Sequence, residues 1–142
     1  MDEAADDVVD WGEFSRLRAE LGANFVRILG YFREDAEKAV EEIALAMQNR
    51  DVHALVLPAH KVKAEARQFG AEALADLCEQ IEDGGRHAVE TRLFPDHLLP
   101  QVAQLKPLYR RTIDALEAAT NPLQQRQAGG QRFVGNQGFG RL

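Results

Sequence analysis

His60, Lys63 and Arg67 fall three and four residues apart within Ala59-His60-Lys61-Val62-Lys63-Ala64-Glu65-Ala66-Arg67. A neutral imidazole is a nitrogen nucleophile, and an ordinary one, titrating near pH ~6.5, is substantially neutral at cytoplasmic pH. Two neighbouring cations would neutralise a phosphoryl group arriving on the ring, because charge-assisted contacts to phosphate oxygens are among the stronger hydrogen bonds. These residue types therefore suit the capture of an anionic group on a ring nitrogen. Spacing alone does not separate that chemistry from three solvated residues on an exposed helical face.

The element that would hold them is a helix. Val52, Leu55, Ala59, Val62, Ala66 and Phe69 recur at helical intervals, and at about 100° per residue their centre lies about 140° from His60. The ring is thus expected to point at solvent. Lys63 and Ala64 follow on its own side one turn later and Arg67 two turns later; His53, Val56 and Leu57 precede it. Ala64 leaves the ring open to approach, and Val56, Leu57 and Lys61 offer mixed apolar and cationic surface beside it.

Helical periodicity extends over most of the chain. Phe25, Ile28, Leu29, Phe32, Ala36, Val40, Ile43 and Met47 mark one long helix, with a bend allowed near Glu34-Asp35; Leu74, Leu77, Cys78 and Ile81 mark a third helix and Leu98, Val102, Leu105, Tyr109, Thr112 and Leu116 a last one. A shorter helix around Glu13 to Leu21 is expected to lid one end. No stretch alternates with period two. The spacing predicts an all-α fold, an antiparallel up-down four-helix bundle with a short extra N-terminal helix. Gly70 is expected to end the second bundle helix and Asp83-Gly84-Gly85 the third, with residues 84–96 as the longest link and Asp51 as an N-cap. Pro58, Pro100 and Pro107 must each open or kink a helix.

The 142 residues, 45% apolar and 28% charged, fit one globular domain, which at this size buries about two thirds of the surface its unfolded chain exposes. Residues 121–142 hold Arg126, Arg132 and Arg141 with no acid, leaving 14 basic against 23 acidic side chains in residues 1–120, a formal −9. The expected organisation is a helical domain over 1–120 and a disordered Gly/Gln/Arg-containing tail over 121–142. A net charge of −6 disfavours nucleic acid,. The longest apolar run, Ala54 to Ala59, is far short of the about 20 residues a membrane span needs. The acidic Met1-Asp2-Glu3-Ala4-Ala5-Asp6-Asp7 start does not read as a secretory signal, and the lone Cys78 closes no bridge within the chain, so a cytoplasmic protein is expected.

Other candidates carry less. Cys78 lies on an apolar stripe and is expected to be a buried, inert thiol. His53, His87 and His97 share no metal-ligand spacing, Glu41 and Glu42 read as a solvated face, and no Gly-rich phosphate loop appears, so no metal or nucleotide site is expected.

The run from Ala59 to Glu82 resembles the signature of histidine-containing phosphotransfer (HPt) domains: Ala-His, an aliphatic, a lysine, small residues, Gly-Ala, then Leu, Cys and a closing Ile-Glu, matched at about ten fixed positions,. The resemblance implies that His60 is the phosphoacceptor, Lys63 the phosphate-assisting cation, Gly70 the interhelical turn, and Ala59, Val62, Leu74, Leu77 and Cys78 packing residues. The family commonly has Gly where this chain has Ala64 and often Ser where it has Glu65. The function implied is that of a phosphoryl carrier in a two-component phosphorelay rather than an enzyme. It would accept a phosphoryl group from the aspartate of a response-regulator receiver domain or hybrid kinase and pass it to another receiver. The chain itself is expected to be a monomer without a cofactor, the Mg²⁺ being supplied by the partner receiver, with Ala36 and Ala39 joining Val56 and Leu57 in the docking surface. The alternative is an HPt-like docking module that regulates a kinase or receiver without being phosphorylated.

Overall fold

A computed structural model describes residues 8–120. The described chain is helical: α1 (Trp11–Leu21), α2 (Phe25–Gln48), α3 (His53–Gln68), α4 (Glu72–Thr91) and α5 (Leu99–Thr120), with 3₁₀ turns at Gly22–Asn24 and Asp96–Leu98. Each long helix sets its apolar stripe inward. Ile43 of α2, Leu55 and Val62 of α3, Leu74 and Ile81 of α4, and Leu105 and Leu116 of α5 are fully buried in one core. Successive helices pack side by side and α5 closes the ring against both α4 and α2, with α3 and α4 the most intimate pair. The architecture is the expected all-α four-helix bundle.

α1 lids one end. The Asp10 carboxylate caps it by accepting from the backbone N–H groups of Gly12 and Glu13 at 3.0 and 3.2 Å,. The Asp10 N–H donates to the Gly70 carbonyl at 2.7 Å. Gly70, with φ of 79°, ends α3, and a Cβ there would lie 2.5 Å from the Asp10 carbonyl oxygen, so both the turn and the docked α1 segment require glycine,. Trp11, Phe14, Phe25, Phe69 and Phe32 continue this junction into the core as a chain of ring contacts with centroids 5.0–5.8 Å apart,.

The structure corrects one boundary. α4 does not stop at Asp83-Gly84-Gly85 but runs on to Thr91 and ends at Arg92, whose φ is 61°. The two glycines serve packing. A Cβ on Gly84 would meet both methyl carbons of Leu98 at 2.8 Å, and one on Gly85 would meet Val56 Cγ2 at 3.1 Å. The longest link is therefore shorter than residues 84–96. Pro58 and Pro107 lie inside α3 and α5, which continue through them, and Pro100 occupies the first turn of α5, where no intrahelical donor is needed,. The Asp51 carboxylate accepts from the Ala54 N–H at 3.3 Å at the start of α3. Ala36 and Ala39, expected on the docking surface, are buried on the core face of α2 and cannot contribute to it. The tail expected beyond residue 120 lies outside the described residues.

Candidate functional site

α3 carries His60 on its outward face, and the side chain is 49% exposed. Opposite it on α4 stands Glu82, which sequence reasoning did not single out. Glu82 falls on the same stripe as Leu74, Cys78 and Ile81, so packing of α4 against α3 takes its carboxylate to 4% exposure. Nearly one turn further along α4, Gly85 packs on α3, where a Cβ would lie 3.1 Å from Val56 Cγ2.

Around that buried carboxylate, cationic and protonatable groups converge. Oε1 lies 2.8 Å from Lys63 Nζ. Oε2 lies 3.1 Å from His60 Nδ1 and accepts from both Nε and a terminal nitrogen of Arg86 at 3.1 and 2.7 Å. Burial by itself would raise the pKa of Glu82, but the hydrogen bonds from Lys63, Arg86 and His60 outweigh it and bring the carboxyl down to about 2,. It is ionised at neutral pH.

An ionised carboxylate only accepts hydrogen bonds. The hydrogen-bond contact to Nδ1 therefore assigns the ring proton to Nδ1, and in the neutral ring the lone pair belongs to Nε2,. A half-exposed imidazole is thus locked in one tautomer by a second residue, with the ammonium of Lys63 one helical turn away. The arrangement can present a nucleophilic nitrogen, place positive charge beside an incoming anion, and stabilise positive charge that develops on the ring during attack.

Of the residues expected at the site, His60, Lys63, Ala64, Lys61, Val56 and Leu57 share this face of α3. Ala64 and Lys61 are exposed, Leu57 is 65% exposed, and Val56 is half-buried where it meets Gly85. Arg67 differs. Its guanidinium is held by three carboxylates of α4, those of Glu79 at 2.6 Å, Glu72 at 2.9 Å and Asp76 at 3.4 Å. Its direction from the helix axis is as counted, but the acids of α4 intercept the long side chain, so it staples α3 to α4 instead of serving the imidazole. Arg86, four residues after Glu82, is the cation that α4 brings to the site. The sequence does carry a signal for this pair, since a carboxylate on a buried stripe demands a cation partner.

Cys78 is fully buried, and burial together with the Glu82 charge pushes its thiol up to about 12,. The described residues hold no group of three or more His, Cys, Asp or Glu side chains placed to bind a metal ion. No described helix is long and apolar enough to cross a membrane.

Comparison with solved structures finds histidine-containing phosphotransfer protein B (HptB) from Pseudomonas aeruginosa PAO1, similar in fold with a TM-score of 0.69 and 20% sequence identity over 84% of this chain and 96% of that one. Among curated proteins, none matches this chain. The family model for the Hpt domain matches residues 27–124, a span holding α3, α4 and every residue of the His60 cluster. The chain therefore belongs to the Hpt domain family, the histidine phosphotransfer modules of phosphorelays.

Proposed function

We propose that this chain is a phosphoryl carrier that accepts a phosphoryl group on Nε2 of His60 from the phosphoaspartate of a receiver domain and returns it to the aspartate of another. The observation that carries the reading is the Nδ1 contact to the ionised, buried Glu82. In the forward step the Nε2 lone pair forms a bond to phosphorus as the bond from phosphorus to the aspartyl oxygen breaks. The aspartate leaves as a carboxylate. The ring needs no base, because its proton already sits on Nδ1 and the positive charge gained on phosphorylation faces Glu82. Lys63, one turn from the ring and paired with Glu82 in the structure, is the cation assigned to meet the phosphoryl oxygens. Phosphoryl transfer depends chiefly on alignment and charge neutralisation, so an outward imidazole on a rigid bundle suffices when the partner brings the remaining groups. In this reading the Mg²⁺ stays in the acidic pocket of the partner receiver, and the chain brings the imidazole and Lys63. The exposed Leu57, Lys61 and Ala64 form the docking surface, which suits a modest, transient interface because the carrier must leave its donor.

The test is incubation with a phosphorylated receiver domain. Label should move to the chain, be acid-labile and base-stable, and vanish in the His60→Gln variant. A chain that binds receivers equally well with and without His60 and never takes label would instead be a docking module, and the carrier reading would be wrong.

A further inference from the structure

Two anions make a demand on Lys63. In the structure its ammonium stands 2.8 Å from Oε1 of Glu82; during transfer it is to meet the phosphoryl oxygens. Glu82 is buried on the seam between α3 and α4, and a buried carboxylate that loses its cation is costly, because no water returns to replace it. With Lys63 as the sole cation, the ammonium could serve the incoming phosphoryl group only by abandoning the carboxylate that holds the ring.

Arg86 resolves that competition. It follows Glu82 by one turn of α4, and its Nε and one terminal nitrogen both donate to Oε2, at 3.1 and 2.7 Å. Oε2 is also the oxygen 3.1 Å from His60 Nδ1, so the guanidinium is anchored on the oxygen that serves Nδ1, whereas the phosphoryl group arrives at Nε2. A two-point hold from a rigid planar fork fixes the direction of a carboxylate as well as its charge. Among the described residues Arg86 pairs with no acid but Glu82, while Arg67, the other guanidinium of the α3–α4 seam, is taken by Glu72, Asp76 and Glu79.

We propose that Arg86 is a positioning residue for phosphoryl transfer: it holds Glu82 in place and balances its charge, so that Lys63 turns from the carboxylate to the phosphoryl group while Nδ1 keeps its acceptor. This role rests on the carrier reading of His60. Before transfer, Lys63 and Arg86 both face the Glu82 carboxylate; with the phosphoryl group on Nε2, Arg86 remains with Glu82 and Lys63 serves the new anion. Arg86 acts through Glu82 and touches none of the reacting atoms.

The test is rapid-quench transfer from a phosphorylated receiver domain that charges the wild-type chain. The Arg86 side chain is 56% exposed, so its variants should fold. Arg86→Ala should lower the maximal rate about five- to tenfold with KM within about twofold, because Lys63 then stays with Glu82 while docking is untouched. Arg86→Lys, which restores the charge without the two-point hold, should recover part of the loss. In the Glu82→Gln background there is no carboxylate charge left to hold, so adding Arg86→Ala should change the rate less than about twofold. An unchanged maximal rate in Arg86→Ala overturns the proposal without recourse to the double variant. A full loss that persists on top of Glu82→Gln also overturns it, since the guanidinium would then be meeting the phosphoryl oxygens itself, and so does a loss confined to KM, which would place Arg86 in docking. In all three outcomes label still reaches His60 and the carrier reading stands. If no receiver transfers to His60 in the wild-type chain, the carrier reading falls and the role of Arg86 falls with it.

Discussion

Replacing Glu82 by glutamine removes one negative charge where Lys63, Arg86 and His60 converge and leaves side-chain volume almost unchanged. In the folded chain the carboxyl is held at about 2 against an ordinary 4.5, because hydrogen bonds from the three partners outweigh the cost of burial. At about 1.4 kcal/mol for each tenfold change in proton affinity, that depression corresponds to about 3 kcal/mol. The ring of His60 and the side chain of Arg86 are half exposed, so water recovers part of their stabilisation once the anion is gone. We therefore expect Glu82→Gln to lose about 2 kcal/mol near neutral pH. The sign of the pH effect follows from the direction of the shift. A depressed folded value makes the contribution complete above about pH 4.5, progressively weaker as pH falls, and absent below about pH 2. Urea unfolding followed by far-ultraviolet circular dichroism, repeated across that range, should show wild type and variant well separated near neutrality and converging in acid. A gap that stays constant with pH, or a variant more stable than wild type at neutral pH, would refute the reasoning.

Three further outcomes follow from the same geometry. Lys63→Ala should slow transfer from a phosphorylated receiver about tenfold or more, whereas Arg67→Ala should leave the transfer rate within about twofold and instead lower stability, since its guanidinium is committed to Glu72, Asp76 and Glu79,; rapid-quench kinetics and thermal unfolding separate the two. Gly84→Ala should destabilise the bundle by about 1 kcal/mol despite alanine's higher helix propensity, because the new methyl would meet the buried Leu98 at 2.8 Å; a rise in the unfolding midpoint would contradict the packing role assigned to Gly84. Cys78, its thiol pushed up to about 12 by burial and the Glu82 charge, should resist iodoacetamide at neutral pH until the chain is unfolded, and labelling of the native chain at the rate of a free thiol would contradict that.

The bundle was legible in the sequence because each long helix buries one stripe, and a stripe leaves a period. Phe25 to Met47 and Val52 to Phe69 show it over their whole length, and the same count sends His60 outward. The run from Ala59 to Glu82 supplied the family. What periodicity does not encode is what stands opposite each residue. Gly84 and Gly85 read as a helix end because glycine both tolerates termination and admits close neighbours; only Leu98 and Val56 on adjoining elements decide between the two. Arg67 points the way its position predicts, yet three acids from α4 capture it. Glu82 was hidden by the converse effect: its position on the stripe was plain, but its meaning depends on Lys63 and His60 lying across the helix interface.

Phosphoryl transfer by this chain comes down to a single atom, Nε2 of His60. Phosphorus and nitrogen NMR of the full chain, isotopically labelled in its histidines and charged by a phosphorylated receiver, tests it most directly. One phosphorus bonded to Nε2 of His60, with the proton still on Nδ1 beside Glu82, is the expected result. Phosphorus on Nδ1, on another histidine, or on no histidine at all would contradict it.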